Sequence, residues 1–488
     1  MSLLKKLVSH TAIYGASSII GRLINWVLTP LYVNLFAPAE YGIFTDLYAL
    51  SFYPLILLTF GMETTFFRYA KGGDKSSIEF VYNNAFWTVF AFALLFSLIF
   101  GLNYNNLATS LGYKTQPQLV LLLIGIIVVD VLSALPLAKL RYEEKAKNFA
   151  FISLSNIAIT LILNIIFLLY LGWGIEYVFV ANFIASVIRL LLLVEGNLPT
   201  HWLPDVKTLK PFLEYGFLIM LAGLAGAMNE MLSRNILPRL WTDGALYKGV
   251  SYTGLEINGI YGANYKLGMF IALLTQAFRY AVEPIYFKET TDKQHPTTFA
   301  QIFHYYTLVC LAFCLIISSF SYEIVSFKVF GRSLLTEKYW VGLNAVPLIL
   351  LANMLLGMYL NLSFWFKITG QVRYGIFFTL SGTIITVVIN FLTIPFFAYI
   401  GSAIASVLCY ATMCYLCYYY GQKYYPVPYN LRRLGIYFLF FLALYFINRF
   451  MSYPNTTDLK YTFLKILICG FGIGFIYWIE KKRPLKVE

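Results

Sequence analysis

The chain has 488 residues, of which 59% are apolar, 18% aromatic and only 12% charged, with a net charge of +13. A soluble globular domain carries roughly 45–50% apolar and about 25% charged residues, whereas this chain repeats apolar runs long enough to cross a ~30 Å hydrocarbon core. That composition excludes a soluble enzyme, a nucleic-acid-binding module and a secreted disulfide scaffold, and it assigns the positive charge to the inner loops of a polytopic membrane protein.

Apolar stretches bounded by charge, Pro or Gly predict fourteen transmembrane helices. The first seven lie near 11–36, 41–66, 80–101, 117–138, 149–171, 175–195 and 211–237. The others lie near 259–281, 299–320, 342–366, 372–394, 398–420, 431–450 and 461–480. Lys5 and Lys6 before the first span and A-P-A after it outline a signal peptide, but its length and the central Arg22 argue against cleavage. Lys and Arg number 22 in the loops and tails on the N-terminal side and 8 on the other, which points both termini to the cytoplasm. Many of the Tyr and Trp residues fit an interfacial belt.

Enzymatic chemistry finds little support. The loops leave no room for a soluble catalytic domain, and no GxxxxGK[ST] phosphate loop is present. His10, His201, His295 and His304 are scattered without metal-binding spacing. The CxxC of Cys414 and Cys417 lacks a second pair or a nearby His, so these thiols are expected to be packed, not reactive. No cofactor is expected.

The chain also repeats itself. FISLSNIAITLILNI (151–165) aligns with FFTLSGTIITVVINF (377–391), setting Asn164 opposite Asn390. IASV recurs at 184–187 and 404–407, and EYG (40–42) at the second span answers IYG (260–262) at the eighth. Six helices separate the equivalents, so the copies are parallel. The expected organisation is an N-lobe (1–197), a C-lobe (198–425) and an appended pair of helices (426–488). Parallel repeats of this kind characterise transporters with a midplane site between repeats.

Ionisable residues inside spans cost at least ~2.5–3.5 kcal/mol at mid-bilayer and therefore mark interior or wet positions. Arg22 lies roughly 16 Å into the first span at ~1.5 Å per residue, on a stripe with Gly15, Ser18, Asn25 and Thr29. The seventh span carries Gly223, Gly226, Glu230 and Arg234; the eighth carries Asn264, Lys266, Gly268, Thr275 and Arg279. Asp46, Asp130 and Glu214 complete the set. Two alternatives stand at several of these positions. Glu230 and Arg234, four apart, either neutralise each other or serve a ligand, and Asp46 with Lys266 forms either a latch or a substrate contact. Arg189, Arg279 and Lys465 sit near span ends and are expected to snorkel. Arginine's planar fork suits phosphate or pyrophosphate, so the cationic set favours an anionic cargo.

PLYVNLFAPAEYG (30–42), GIYGANYKLG (259–268) and LSFWFKITGQVRYG (362–375) resemble the corresponding stretches of Wzx-like oligosaccharide flippases. Those proteins belong to the multidrug/oligosaccharidyl-lipid/polysaccharide (MOP) superfamily. The resemblance implies an all-α, V-shaped fold of about fourteen helices working by alternating access in the bacterial cytoplasmic membrane. It implies an undecaprenyl-pyrophosphate-type lipid-linked oligosaccharide as cargo, with membrane lipids and other polysaccharide-assembly proteins as partners and no nucleic acid. The cationic cavity residues carry over to Arg22, Arg234 and Lys266, with Asn25 beside Arg22. Coupling to Na⁺, H⁺ or membrane potential would run through Asp46, Asp130 or Glu230, and helices 13 and 14 would add a groove for the lipid tail. Ser233 stands where relatives often carry an acid before the arginine, and the stretch from Trp241 to Glu256 is longer than usual. The alternatives are a cation-coupled multidrug exporter of the same superfamily and, from another class, a membrane-embedded glycan polymerase or ligase.

Overall fold

The computed structural model describes residues 21–482 apart from 22, 24, 25, 196, 200–205, 289–294, 330 and 452–458. Helical residues 26–35 (α1) are followed by α2 Pro38–Thr59, α3 Lys75–Phe96, α4 Pro117–Tyr142, α5 Ala146–Asn164, α6 Glu176–Val194 and α7 Val206–Leu240. The chain continues through α8 Gly254–Lys288, α9 His295–Ser319, α10 Val346–Leu362, α11 Arg373–Phe397, α12 Tyr399–Tyr424, α13 Leu431–Met451 and α14 Leu459–Lys482. Two antiparallel hairpins interrupt the helices: β1 Leu246–Tyr247 with β2 Val250–Ser251, and β3 Lys328–Val329 with β4 Arg332–Ser333.

Among the described residues twelve helices are long and apolar enough to cross a membrane, and they match twelve of the fourteen predicted spans. The first predicted span falls largely outside the described residues. The eighth forms the 35-residue helix α8, whose Asn258, Asn264, Lys266, Gln276 and Arg279 lower its hydropathy below that of a lipid-facing span. An all-α polytopic membrane fold is therefore the observed class.

The described residues form two compact units, one of Phe44–Met231 with those up to Leu28, the other of Thr29–Ile43 with those from Leu232 onward. In the first unit α4 is the central helix. Leu119, Val120, Leu123, Ile124, Ile126, Ile127, Val131 and Leu135 bury all sides of it, as expected for a helix apolar all round. By contrast α5 buries only 17% of its most apolar stretch, against 56% for α4, so α5 has a lipid-facing role. Asp74 caps α3, accepting bonds from the Ser77 hydroxyl and, at 3.0 Å, from the Ser77 amide, which hold its carboxyl below the usual range. At its other end α3 relaxes into a π-helical turn, Ser97–Gly101. Arg189 does not snorkel as expected. Its Nη2 lies 2.6 Å from Asp130 Oδ1, tying α6 to α4, because a carboxylate in reach stabilises the guanidinium better than a stretched route to the interface.

In the second unit the N-terminal end of α2 crosses α8 at backbone contact. A Cβ on Gly42 would stand 1.9 Å from the Leu255 carbonyl oxygen, and one on Gly259 equally 1.9 Å from that of Pro38. Asn258 Nδ2 donates to the Gly42 carbonyl at 3.3 Å. Around α10 and α12 a core of Phe303, Trp365, Phe366, Phe378 and Met413 closes the bundle. Cys414 and Cys417 belong here as packed free thiols, Cys414 Sγ lying 3.1 Å from the Leu355 carbonyl.

Helices α13 and α14 are fastened to α9 through charge. Glu480 Oε1 accepts from Arg433 at 2.7 Å and Tyr437 at 2.7 Å, and meets His304 Nε2 at 3.1 Å. Lys465 is 4% exposed and lies 2.8 Å from Glu323 in the short helix Ser321–Ser326. This overturns the expectation that Lys465 snorkels, since its amine finds a buried carboxylate instead. Glu323→Gln is expected to destabilise the protein in detergent by about 3–5 kcal/mol, the usual cost of stranding one member of a buried pair. Adding Lys465→Met should recover much of that loss, and thermal unfolding of the two variants measures both.

The segments that match in sequence are alike in local structure. Asn164 and Asn390 are both fully buried, and each donates its amide to the carbonyl four residues earlier, Thr160 and Thr386, at 2.7 Å. Ala185 and Ala405 of the two IASV segments are likewise fully buried.

Candidate substrate site and buried charges

The predicted cations on α7 and α8 come together in the second unit. Tyr261 and Tyr265 are four apart and share a face of α8, and Arg234 lays its guanidinium 4.1 Å from the centre of the Tyr265 ring. Its charge also acts on Tyr41, Tyr261 and Lys266. Arg234 and Lys266 are both half-buried. Thr29 lies beside Tyr41, and Ser406 beside Tyr261. The result is a patch of two cations among phenols. Like charges so placed raise each other's cost of burial, and a bound anion relieves it. A guanidinium fork beside a point-charge ammonium suits a phosphate-type oxyanion.

Arg22 and Asn25 lie outside the described residues. Thr29, the last member of their stripe, is buried beside Tyr41. Glu230, one turn before Arg234, is exposed, and among the described residues no ion pair joins the two. Ser233, the residue before Arg234, is buried and accepts from Asn390 Nδ2 at 3.0 Å. The repeat asparagine thus anchors the residue before Arg234 and fixes the turn of α7 that presents it. Sequence reasoning did not link these two, which are 157 residues apart.

The predicted acids occupy the first unit. Asp46 is buried, and Tyr113 donates to its Oδ2 at 2.5 Å. Asp130 pairs with Arg189, and its charge reaches Tyr48, whose hydroxyl accepts from Asn182 Nδ2 at 2.6 Å. Asp130, Arg189, Tyr48 and Asn182 thus form one neutral cluster across α2, α4 and α6. Glu214 lies at the surface, 4.0 Å from Lys210. No group of three or more metal-ligating side chains occurs among the described residues.

The long connection between α7 and α8 now has a physical account. It folds as the β1–β2 hairpin, whose two-residue turn, Lys248 (φ 52°) and Gly249 (φ 81°), has the positive φ values of a type I′ turn. Trp241 Nε1 donates to the Tyr252 carbonyl at 3.1 Å, and the Tyr247 ring stands edge-on to Tyr399 at 5.1 Å. A reciprocal cap between Thr253 and Glu256 then starts α8. The hairpin sets the entry of the helix that carries Tyr261, Tyr265 and Lys266.

Residues 33–252 match the model of a family described as polysaccharide biosynthesis proteins. No curated protein sequence matches the chain. Its fold is similar to that of the lipid II flippase MurJ, with a TM-score of 0.72 at 12% identity over 96% of this chain and 99% of the other. It is also similar to a multidrug resistance MATE family transporter of the MOP superfamily, with a TM-score of 0.67 at 14% identity over 85% and 95%. A third similar structure is a MOP superfamily transporter from Pyrococcus furiosus, described by the reversed polarity of its binding pocket, with a TM-score of 0.52 at 14% identity over 84% and 95%. The chain thus shares the fold of these transporters, and its residues 33–252 are similar in sequence to polysaccharide biosynthesis proteins.

Proposed function

We propose that the chain is a flippase that moves a polyprenyl-pyrophosphate-linked oligosaccharide from the cytoplasmic to the outer leaflet by alternating access. The observation that carries this reading is the nearness of Arg234 and Lys266 among Tyr41, Tyr261 and Tyr265, in a chain whose residues 33–252 match polysaccharide biosynthesis proteins. The cations receive the pyrophosphate, with Arg22 and Asn25 as further contacts, and the phenol rings offer flat faces and hydroxyls to sugars. The polyprenyl tail stays at the depth of the hydrocarbon core throughout. Both termini face the cytoplasm of a bacterial inner membrane, as the loop charges support. Asp130, neutralised by Arg189, is the leading coupling residue; its proton or Na⁺ exchange would release Arg189. Asp46 and Glu230 are the other candidates.

The decisive experiment uses proteoliposomes holding a fluorescent polyprenyl-pyrophosphate oligosaccharide, read by a membrane-impermeant quencher, with organic-cation efflux followed on the same vesicles. Protection of the lipid-linked sugar without cation efflux is the expected result. Cation efflux alone would move the cargo assignment to the multidrug class and the site to the acids of the first unit. A lengthened glycan recovered from the vesicles would instead indicate a polymerase or ligase.

A further inference from the structure

The first unit contains an apolar groove of about 660 Å³ between α2, α3, α4 and the short helix Tyr104–Leu111, with Met220 of α7 at its edge. Its floor is the most buried face of α4, including Val120, Leu123 and Ile127. Leu57, Leu95 and Ile99 line its mouth and are exposed on the apolar flank of the unit. No charged side chain lines it, and Tyr53 alone brings a polar group. The groove exists because the two wall helices are distorted where they would otherwise close. Pro54 interrupts the hydrogen-bond ladder of α2, and the π-helical turn Ser97–Gly101 re-aims the end of α3. Neither wall can pack straight onto the floor.

A void lined this way gains nothing from water and is filled by hydrocarbon. Its volume falls within the roughly 300–1,000 Å³ of ligand pockets, and its mouth continues the surface that faces lipid. Every lining residue lies between Leu50 and Met220, inside the stretch that matches polysaccharide biosynthesis proteins. We propose that this groove, in place of the one expected along helices 13 and 14, seats the isoprenoid chain of the carrier lipid, holding the tail against α4 while the head is transferred. The inference rests on the flippase reading for the identity of the lipid, and on the groove for the place.

The test is photocrosslinking of the intact protein in nanodiscs with a diazirine-bearing polyprenyl phosphate, run in parallel with a diazirine-bearing phosphatidylglycerol. Adducts should map to α2, α3 and α4. Leu95→Trp with Ile99→Trp fills the mouth from exposed positions, so the fold should tolerate it, and it should reduce the polyprenyl adduct about tenfold. Ile162→Trp, exposed on α5 outside the groove, should leave it unchanged. Equal labelling by the phospholipid probe, or an undiminished adduct in the filled variant, would overturn the proposal. Translocation measured on the same protein separates the two readings. Transport without a groove adduct removes the tail site alone, whereas an adduct without transport keeps the site and removes the flippase.

Discussion

Arg234→Ala is expected to slow transfer of a lipid-linked oligosaccharide by about ten- to hundredfold. A hydrogen bond to a charged group is worth roughly 1.5–3 kcal/mol, and about 1.4 kcal/mol corresponds to a tenfold change. Arg234→Lys keeps the charge and loses the fork, so it should recover only part of the rate. Lys266→Ala should act in the same direction. Because the Arg234 charge bears on Lys266, the double variant should lose less than the product of the single effects. Initial rates in the quencher assay, with protein amount and monodispersity matched, decide the matter. Unchanged rates in Arg234→Ala would remove this patch from the transport path.

The second large effect is structural. Gly42→Ala and Gly259→Ala each place a methyl group 1.9 Å from a backbone carbonyl oxygen of the facing helix. Side chains can swing away from an intruding methyl group, but this obstacle is main chain within α2 and α8. Overpacking that flexible cores absorb costs typically ~1–3 kcal/mol, and here the loss is expected at or above the top of that range. Folded yield and melting temperature in detergent should fall for both variants. Gly226→Ala, with nothing within 4 Å of the added carbon, provides the comparison and should melt close to the parent. A normal melting temperature for Gly259→Ala would show that the α2–α8 crossing has slack.

What the sequence disclosed and what it hid divide along a physical line. Spans announce themselves through local composition, so twelve of the fourteen are recovered among the described residues. The repeat announced itself through Asn164 and Asn390, because a fully buried amide that satisfies itself on its own helix leaves the same trace in both copies. Arg234 and Lys266 were legible because a charge within a span is costly wherever it points. The partners of Arg189 and Lys465 were not, since Asp130 and Glu323 are 59 and 142 residues away and nothing local distinguishes a snorkelling cation from a paired one. The β1–β2 hairpin escaped for another reason. Two-residue strands carry almost no periodicity, and only the Lys248-Gly249 turn hints at them. The α3 distortion escaped too, as Ser97–Gly101 contains no proline to mark it.

The matching buried asparagines carry a consequence for ancestry. Equivalent segments separated by an even number of crossings thread the bilayer in the same direction, so the duplicated half never had to insert in two opposite topologies. A single six-helix ancestor could have worked as a homodimer of identically oriented copies, with gene fusion joining them afterwards. Once fused, the copies were free to diverge. The two copies differ today: Asp130 of the first is paired with Arg189, whereas the second carries Arg234 and Lys266. Differences of this kind are open to two copies within one chain and closed to a true homodimer, whose subunits share one sequence.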